Sequence, residues 1–594
     1  MFSPYILKKN ANKITLSLLI IIISIIYGLP HIYFANKLGK YYSPLIVTGY
    51  SPVAFDEGTL YAPAVNYILQ GHIFLQDLYV AEYSNTPTPF IGESASAIIM
   101  AVLSRITGSI EKAFIAADFI FPAVIFTLLY FFARYFIQNR YFAMSAAFFA
   151  AISRDFIATI PNPIAMWNYL KYGENAGEFL YLSRAFHPQV SLVFFILGIL
   201  SLTNLIKKRS AFQTVLTGLI LGLTFYTYIF YWTYLLFIIV MAVIYFVLHR
   251  DQQIVSRLLF SLVIGLAIAI PYLWSTYNFY ISTLAEDFTQ KYTLTNAPVP
   301  VTIFRYLFLS AALYFFLKIK KATKTDLNKD LIDFYIILIL GGILLPLLFK
   351  LLNKDLVILH YIRRALAPFA TIAVFVIAKN LIEYYKVTAK TLTVFAIFCT
   401  IFTAVFATRV QLIASQSVKD AHKDSKNLKA VYNYLNKFTN KYSVIGSLDE
   451  DFNSYLPIYT QDKTYFPPTL RTVTPTGEDV QRYAVISNLL GNTVDKQRQY
   501  LDNYLSYVFY FQAYNQSTKK FDPNAPKVTA AKNNLGVLAK QNLQEQLNKY
   551  RLDYLIINPD ELPSVKPQYM FLKPEASVSG YIIFKVYAND NETI

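Results

Sequence analysis

Cysteine is almost missing from this chain of 594 residues. The one thiol, Cys399, lies inside an apolar segment, which excludes a disulfide framework and any zinc site built on cysteines. Histidine is scarce as well: the six are scattered with no HExxH spacing, so a helix-borne metalloprotease site is excluded. Charged residues make up only 15%, and they lean basic, with a formal net charge of +17. These cations form no basic stripe with interleaved stacking aromatics. They fall in short clusters between apolar blocks, so they point to membrane orientation and not to nucleic acid.

What fills the chain instead is apolar: 55% of residues are hydrophobic and 17% aromatic. They come in blocks of about twenty, the length a helix needs to cross the hydrocarbon core. The chain reads as a polytopic α-helical membrane protein. The first block, ITLSLLIIIISIIYGLPHIYF, follows Lys8, Lys9 and Lys13. It is long for a signal peptide and lacks a small-residue cleavage site, so it is expected to remain as an anchor with the N-terminus in the cytoplasm.

Further spans are expected at about 112–133, 141–158, 189–206, 211–228, 231–248, 256–274, 301–318, 331–350, 362–380 and 391–409. With the first block this makes about eleven transmembrane helices. Arg134 and Arg140, Lys207 to Arg209, Arg250 and Arg257, the run KIKKATK (Lys318 to Lys324), and Lys379, Lys386 and Lys390 then share one side, which the positive-inside rule makes cytoplasmic. The block at about 92–107, GESASAIIMAVLSRIT, would reverse every later assignment as a full span, and is read as a juxtamembrane or re-entrant helix.

This topology divides the chain into a membrane domain, 1–410, with a long first external loop at 35–111, and an extracytoplasmic domain, 411–594. The tail alternates helix-like stretches (HKDSKNLKAVYNYLNKF, LQEQLNKYR) with strand-like ones (YSVIGSL, DYLIINP, YIIFKVY), the pattern of a small α/β domain. The acids of SLDEDFNSY and the pair Glu286 and Asp287 are expected to be solvated.

Candidate functional residues gather on the external side. Asp56 and Glu57 stand in the first loop. Asp56 reads either as a helix N-cap or as a free carboxylate ahead of a helix. Pro63 favours the second, because a helix starting near Ala62 accepts proline in its first turn. Arg184, His187, Arg363 and Arg364 lie at outer span ends, the side depleted of cations; they either snorkel to headgroups or bind a phosphate. The turn YTYIFYWTY carries Tyr228 and Trp232, expected as an interfacial belt or as a stacking wall for a sugar or prenyl chain.

The acid in a long first external loop, the juxtamembrane helix before the next span, the turn RYFIQNRY and the arginine-led span YIRRALAPFATIAVF together resemble the GT-C membrane glycosyltransferases. The likeness covers about residues 1–410 and is nearest to the protein O-mannosyltransferase and aminoarabinose-transferase branch. It implies a polyprenyl-phosphate sugar donor, a glycan, lipid or protein acceptor, and a place in the bacterial plasma membrane. It also implies Asp56 as general base with Glu57 beside it, and a possible divalent metal, Mg or Mn. The sequence departs from that branch in SRAFHPQVSLVFF, which keeps Arg184 and Pro188 but has Gln189 where the branch often has an acid. A second carboxylate then has to come from Asp155, Glu174 or Glu178. A transporter or flippase of lipid-linked glycans, and a non-catalytic scaffold of the same fold, are the alternatives.

Overall fold

The computed structural model describes residues 4–47, 57–152, 179–292, 302–315, 329–352, 360–386, 388–424, 426–515, 517–518, 520–558, 567–568 and 570–587; among these, the side chains of 4–12 and 389 are not described. Asp56, Asp155, Glu174, Glu178 and the run 318–324 lie outside these residues. The chain forms two compact units, one of 1–39, 102–271 and 295–419, the other of 40–101, 272–294 and 420–594.

The first unit is a helical bundle. Among the described residues of the whole chain, nine helices are long and apolar enough to cross a membrane, with shorter apolar helices at Arg140–Ile152, Ala211–Thr224 and Ile303–Tyr314. The spans expected from the sequence recur closely, for example Ile110–Ala133, Ile229–Leu248 and Lys329–Leu351. The last one runs further, Ala389–Ser417. The stretch Pro89–Thr107 is also long and apolar enough to cross, and it ends at Gly108, whose φ of +86° breaks the helix before Ser109 caps the next one.

Small residues allow a close helix approach. Gly218 and Gly222, spaced four apart, lie against Ile264 and Ile268, and a Cβ at Gly222 would come within 2.6 Å of Ile268. This spacing lets backbones meet where lipid offers no hydrophobic driving force. At one end of the bundle Arg209 pairs with Asp251 and Asp330, each at 2.9 Å. The KKR turn and the turns at 250–251 and 329–330 therefore share one end, as the basic-cluster grouping requires.

The second unit is built on a five-stranded sheet in the order β2-β1-β5-β7-β6, with β1 Val444–Gly446, β2 Lys463–Thr464, β5 Tyr554–Ile557, β6 Leu572–Val578 and β7 Tyr581–Val586. The strands β3 (Tyr514–Asn515) and β4 (Lys520–Phe521) form a separate hairpin. β2, β1 and β5 run parallel, and β7 and β6 add an antiparallel ribbon. The three stretches read as strands from the sequence are β1, β5 and β7. Tyr465, Phe466, Tyr483, Ile486, Val508 and Leu555 lie in the buried core beside them.

The segments 40–101 and 272–294 belong to this unit, and the first is bonded to the tail. Tyr79 C=O accepts from Thr464 N–H at 2.8 Å beside β2, and Asn66 Nδ2 donates to Pro457 and Thr460 carbonyls.

Asp449 is buried and not solvated. It caps the helix Glu450–Tyr459, and its carboxylate receives Lys426, Asn558 and Tyr581. Asp287 is likewise engaged, accepting from Thr476 N–H at 2.7 Å and from Gln512 Nε2 at 3.0 Å. Lys291 beside it and these hydrogen bonds hold its carboxyl below the usual range, against the opposing pull of burial. A short polar run in sequence looks solvated because the donors that bury it come from distant segments.

Candidate functional site

Three chain segments of the helical unit meet around Tyr228. The first is the stretch 179–190. Arg184 has extended backbone, and a π-helical turn Ala185–Val190 follows, with His187 itself non-helical before Ser191–Lys208 begins. Pro188 suits that start, since a missing N–H costs nothing at the first turn of a helix. The second segment is the turn leading into Ile229–Leu248, with Tyr228 as extended N-cap. The third is the π-helical turn Tyr361–Leu366, preceded by His360.

The side chains converge by hydrogen bonding and stacking. Arg364 Nη1 donates to the Tyr228 hydroxyl at 2.7 Å, and its guanidinium lies 5.9 Å from the ring centre. The same hydroxyl is 2.9 Å from His360 Nδ1. The His187 ring stacks on Tyr228 at 4.4 Å, and its Nδ1 is 3.0 Å from Ser191 Oγ. Tyr181 OH donates to the Arg364 carbonyl at 3.1 Å, with Tyr231 OH 3.3 Å away.

Three of the residues singled out from the sequence, His187, Tyr228 and Arg364, therefore form one cluster. Arg363 and Arg184 are half-buried on the adjoining turns. Trp232 lies one helical turn beyond Tyr228, where its indole stacks on Phe225 at 4.3 Å. The tyrosines are not a surface belt: Tyr228 is buried and Tyr231 and Tyr234 are fully so. Glu57 belongs to the other compact unit, where it opens the one-turn helix Glu57–Leu60 and does not stand in an open loop. The next helix, Ala62–Leu69, takes Pro63 in its first turn as the sequence requires.

Sequence reasoning missed His360, which stands immediately before the arginine-led span, and a second polar island. Asp118, inside Ile110–Ala133, is 2.8 Å from His31 Nε2 and accepts from Gln189 Nε2. An acid in AADFIFPAV and a histidine in GLPHIYF, each in the middle of an apolar run, were the available signal. Among the described residues no three His, Cys, Asp or Glu side chains come together to hold a metal ion.

The fold and this cluster define a multi-pass helical membrane protein with cationic and aromatic groups gathered where spans begin. No protein-family model matches the chain. No curated protein sequence matches it either. Similar solved structures include ArnT from Cupriavidus metallidurans bound to undecaprenyl phosphate, with 11% identity, covering 94% of this chain and 97% of that one at a TM-score of 0.45. They also include the Archaeoglobus fulgidus oligosaccharyltransferase tethered with an acceptor peptide, with 11% identity, 90% and 68% coverage and a TM-score of 0.43. A third is the archaeal oligosaccharyltransferase AglB from Archaeoglobus fulgidus with an inhibitory peptide and a dolichol-phosphate, with 11% identity, 91% and 69% coverage and a TM-score of 0.42.

Proposed function

We propose that this protein is an integral-membrane glycosyltransferase that moves a sugar from a polyprenyl-phosphate donor to a glycan, lipid or protein acceptor at the outer face of a bacterial plasma membrane. The observation that carries the reading is the gathering of Arg364, His360 and His187 on Tyr228 at the start of three chain segments. A guanidinium and imidazoles supply directed donors for phosphate oxygens, and helix starts at Tyr228 and Pro188 add amide dipoles of the same sign. The aromatic rings offer an apolar wall to the first isoprene units.

In this reading the acceptor O–H loses its proton to the Asp56 carboxylate, and the acceptor oxygen forms a bond to the anomeric carbon. The bond from that carbon to the phosphate oxygen breaks with inversion, and its electron pair leaves on the polyprenyl phosphate. Arg364, supported by Arg184 and Arg363, stabilises that charge. Glu57 supports Asp56, and Trp232 extends the apolar wall. Among the described residues no three His, Cys, Asp or Glu side chains gather to hold a divalent metal, and no step is routed through one. The N-terminus and the 318–324 run are cytoplasmic and the tail is external; tag accessibility in intact spheroplasts tests this, and a protected C-terminal tag overturns the placement.

The second reading, a flippase for lipid-linked glycans, is favoured by one observation, the His31–Asp118 pair within apolar helices. Transfer assays in nanodiscs with a polyprenyl-phosphate sugar separate the two. Asp56→Asn is expected to lower the rate ~10²- to 10⁴-fold, and Arg364→Gln about 10²- to 10³-fold, both with an unchanged melting temperature. Wild-type transfer by both variants overturns the roles given to Asp56 and Arg364, whereas no transfer by the wild-type protein leaves flipping as the better account.

A further inference from the structure

The segment between Leu180 and Gln189 leaves regular helix geometry beside apolar spans, where backbone groups have little water to bond. Two fully buried glutamines hold it. Gln411, on Ala389–Ser417, accepts from Leu180 N–H at 3.1 Å and donates to Ser183 Oγ at 2.8 Å and to the Ile26 carbonyl at 3.3 Å. At the other end Gln189 Nε2 donates both to the Leu182 carbonyl and to Asp118 Oδ1. Both partners are acceptors, so they fix the amide with its nitrogen toward Asp118. The second oxygen of Asp118 is held by His31 at 2.8 Å.

A carboxylate and an imidazole on apolar helices are expensive to place, and the hydrogen bonds here explain what they retain: the turn that carries His187, two residues before Gln189. We propose that Asp118 is a positioning residue, which through Gln189 sets the 182–190 turn and so seats the His187 ring on Tyr228. The role rests on the reading of the Tyr228 cluster as a phosphate site. Leu182, Gln189 and His187 are joined through one short turn, so releasing the amide frees the backbone that His187 depends on. His31 acts behind Asp118 by fixing its second oxygen.

The test uses the full chain in nanodiscs with undecaprenyl phosphate as the probe and hydrogen–deuterium exchange as a second readout. Asp118→Leu is expected to speed exchange across 180–190 and to weaken undecaprenyl phosphate binding about tenfold. Asp118→Asn rescues most of the loss, because its carbonyl still accepts from Gln189 and its amide can donate to the other His31 tautomer. In a His187→Ala background, Asp118→Leu adds nothing further, since the two act through one group. Additive losses, as from general destabilisation, overturn the proposal, and so does unchanged exchange at 180–190. If Asp118→Leu does not fold, Gln189→Met makes the same cut with the Asp118–His31 pair intact. Should His187→Ala and Arg364→Gln bind undecaprenyl phosphate as wild type does, the phosphate reading falls by itself, and the exchange result still decides whether the brace exists.

Discussion

The two compact units use polar side chains in opposite ways. In the unit that holds the tail, acids are absorbed into the fold. Asp77 is fully buried, with Oδ1 accepting from Tyr79 and Val80 N–H at 3.0 and 2.9 Å, and Oδ2 from Val473 N–H at 2.8 Å and Thr472 Oγ1 at 2.7 Å. Among the described residues of the helical unit, besides the ion pairs of Arg209 at one end, polar side chains gather in islands around Tyr228 and around Asp118 among apolar spans. An acid in a water-facing unit has backbone donors to close it, so its presence says little about chemistry. A polar group among lipid-facing helices is costly, so each island needs a reason.

The contrast breaks most sharply at Asp77. Asp77→Ala leaves buried donors from Tyr79, Val80, Thr472 and Val473 with no acceptor. It is expected to destabilise the tail-bearing unit by about 3–5 kcal/mol, read as a loss of melting temperature and as rapid proteolysis of the tail. Melting at the wild-type temperature would show that the closed acids of this unit are not structural.

Tyr228→Phe probes the other side of the contrast. It keeps the ring under His187 and removes the oxygen that receives Arg364 and faces His360. Undecaprenyl phosphate binding is expected to weaken about fivefold, the size of one ordinary hydrogen bond, with little change in melting temperature. A large fall in stability with binding intact would make this island a packing device, like Asp77.

How far the sequence led follows the same division. Several spans, such as Ile110–Ala133, Ile229–Leu248 and Lys329–Leu351, were legible to within a few residues because lipid allows only one regular structure per block, while Ala389–Ser417 runs well past its expected end. The strands β1, β5 and β7 were legible because each is a run of β-branched and aromatic residues. β2 was not: Lys463–Thr464 has no apolar pattern, and it pairs because Ser443 and Ile445 backbone groups accept it on one side and Tyr79 on the other. At the candidate site, His187, Tyr228 and Arg364 were found from their place at span ends. His360 and Asp118 went unread although one stands at a span start and the other inside an apolar run; their partners, 132 and 87 or 71 positions away, are not named by that placement.

The smallest expected effect sharpens the contrast through pH. Glu450 opens the helix that Asp449 caps, and burial, then the neighbouring Asp451 and Asp449 charges, push its carboxyl up from an ordinary value near 4.5 to about 8, with Lys426 opposing. The folded chain therefore keeps this proton to about pH 8, while the unfolded chain releases it near 4.5. The folded state binds more protons across that window, so this group's contribution is full below pH 4.5 and is lost as pH rises through 8. Glu450→Gln imitates the protonated form and carries no such loss. Melting curves of the two proteins should coincide near pH 4 and separate progressively as pH rises to about 8, with the variant higher. Comparing the pair at each pH cancels the opposite trend from Asp287, whose depressed value favours neutral pH. A gap that stays constant, or a variant that melts lower at pH 9, would mean that Glu450 is ionised in the folded protein and that even this acid is held by donors, as Asp77 is.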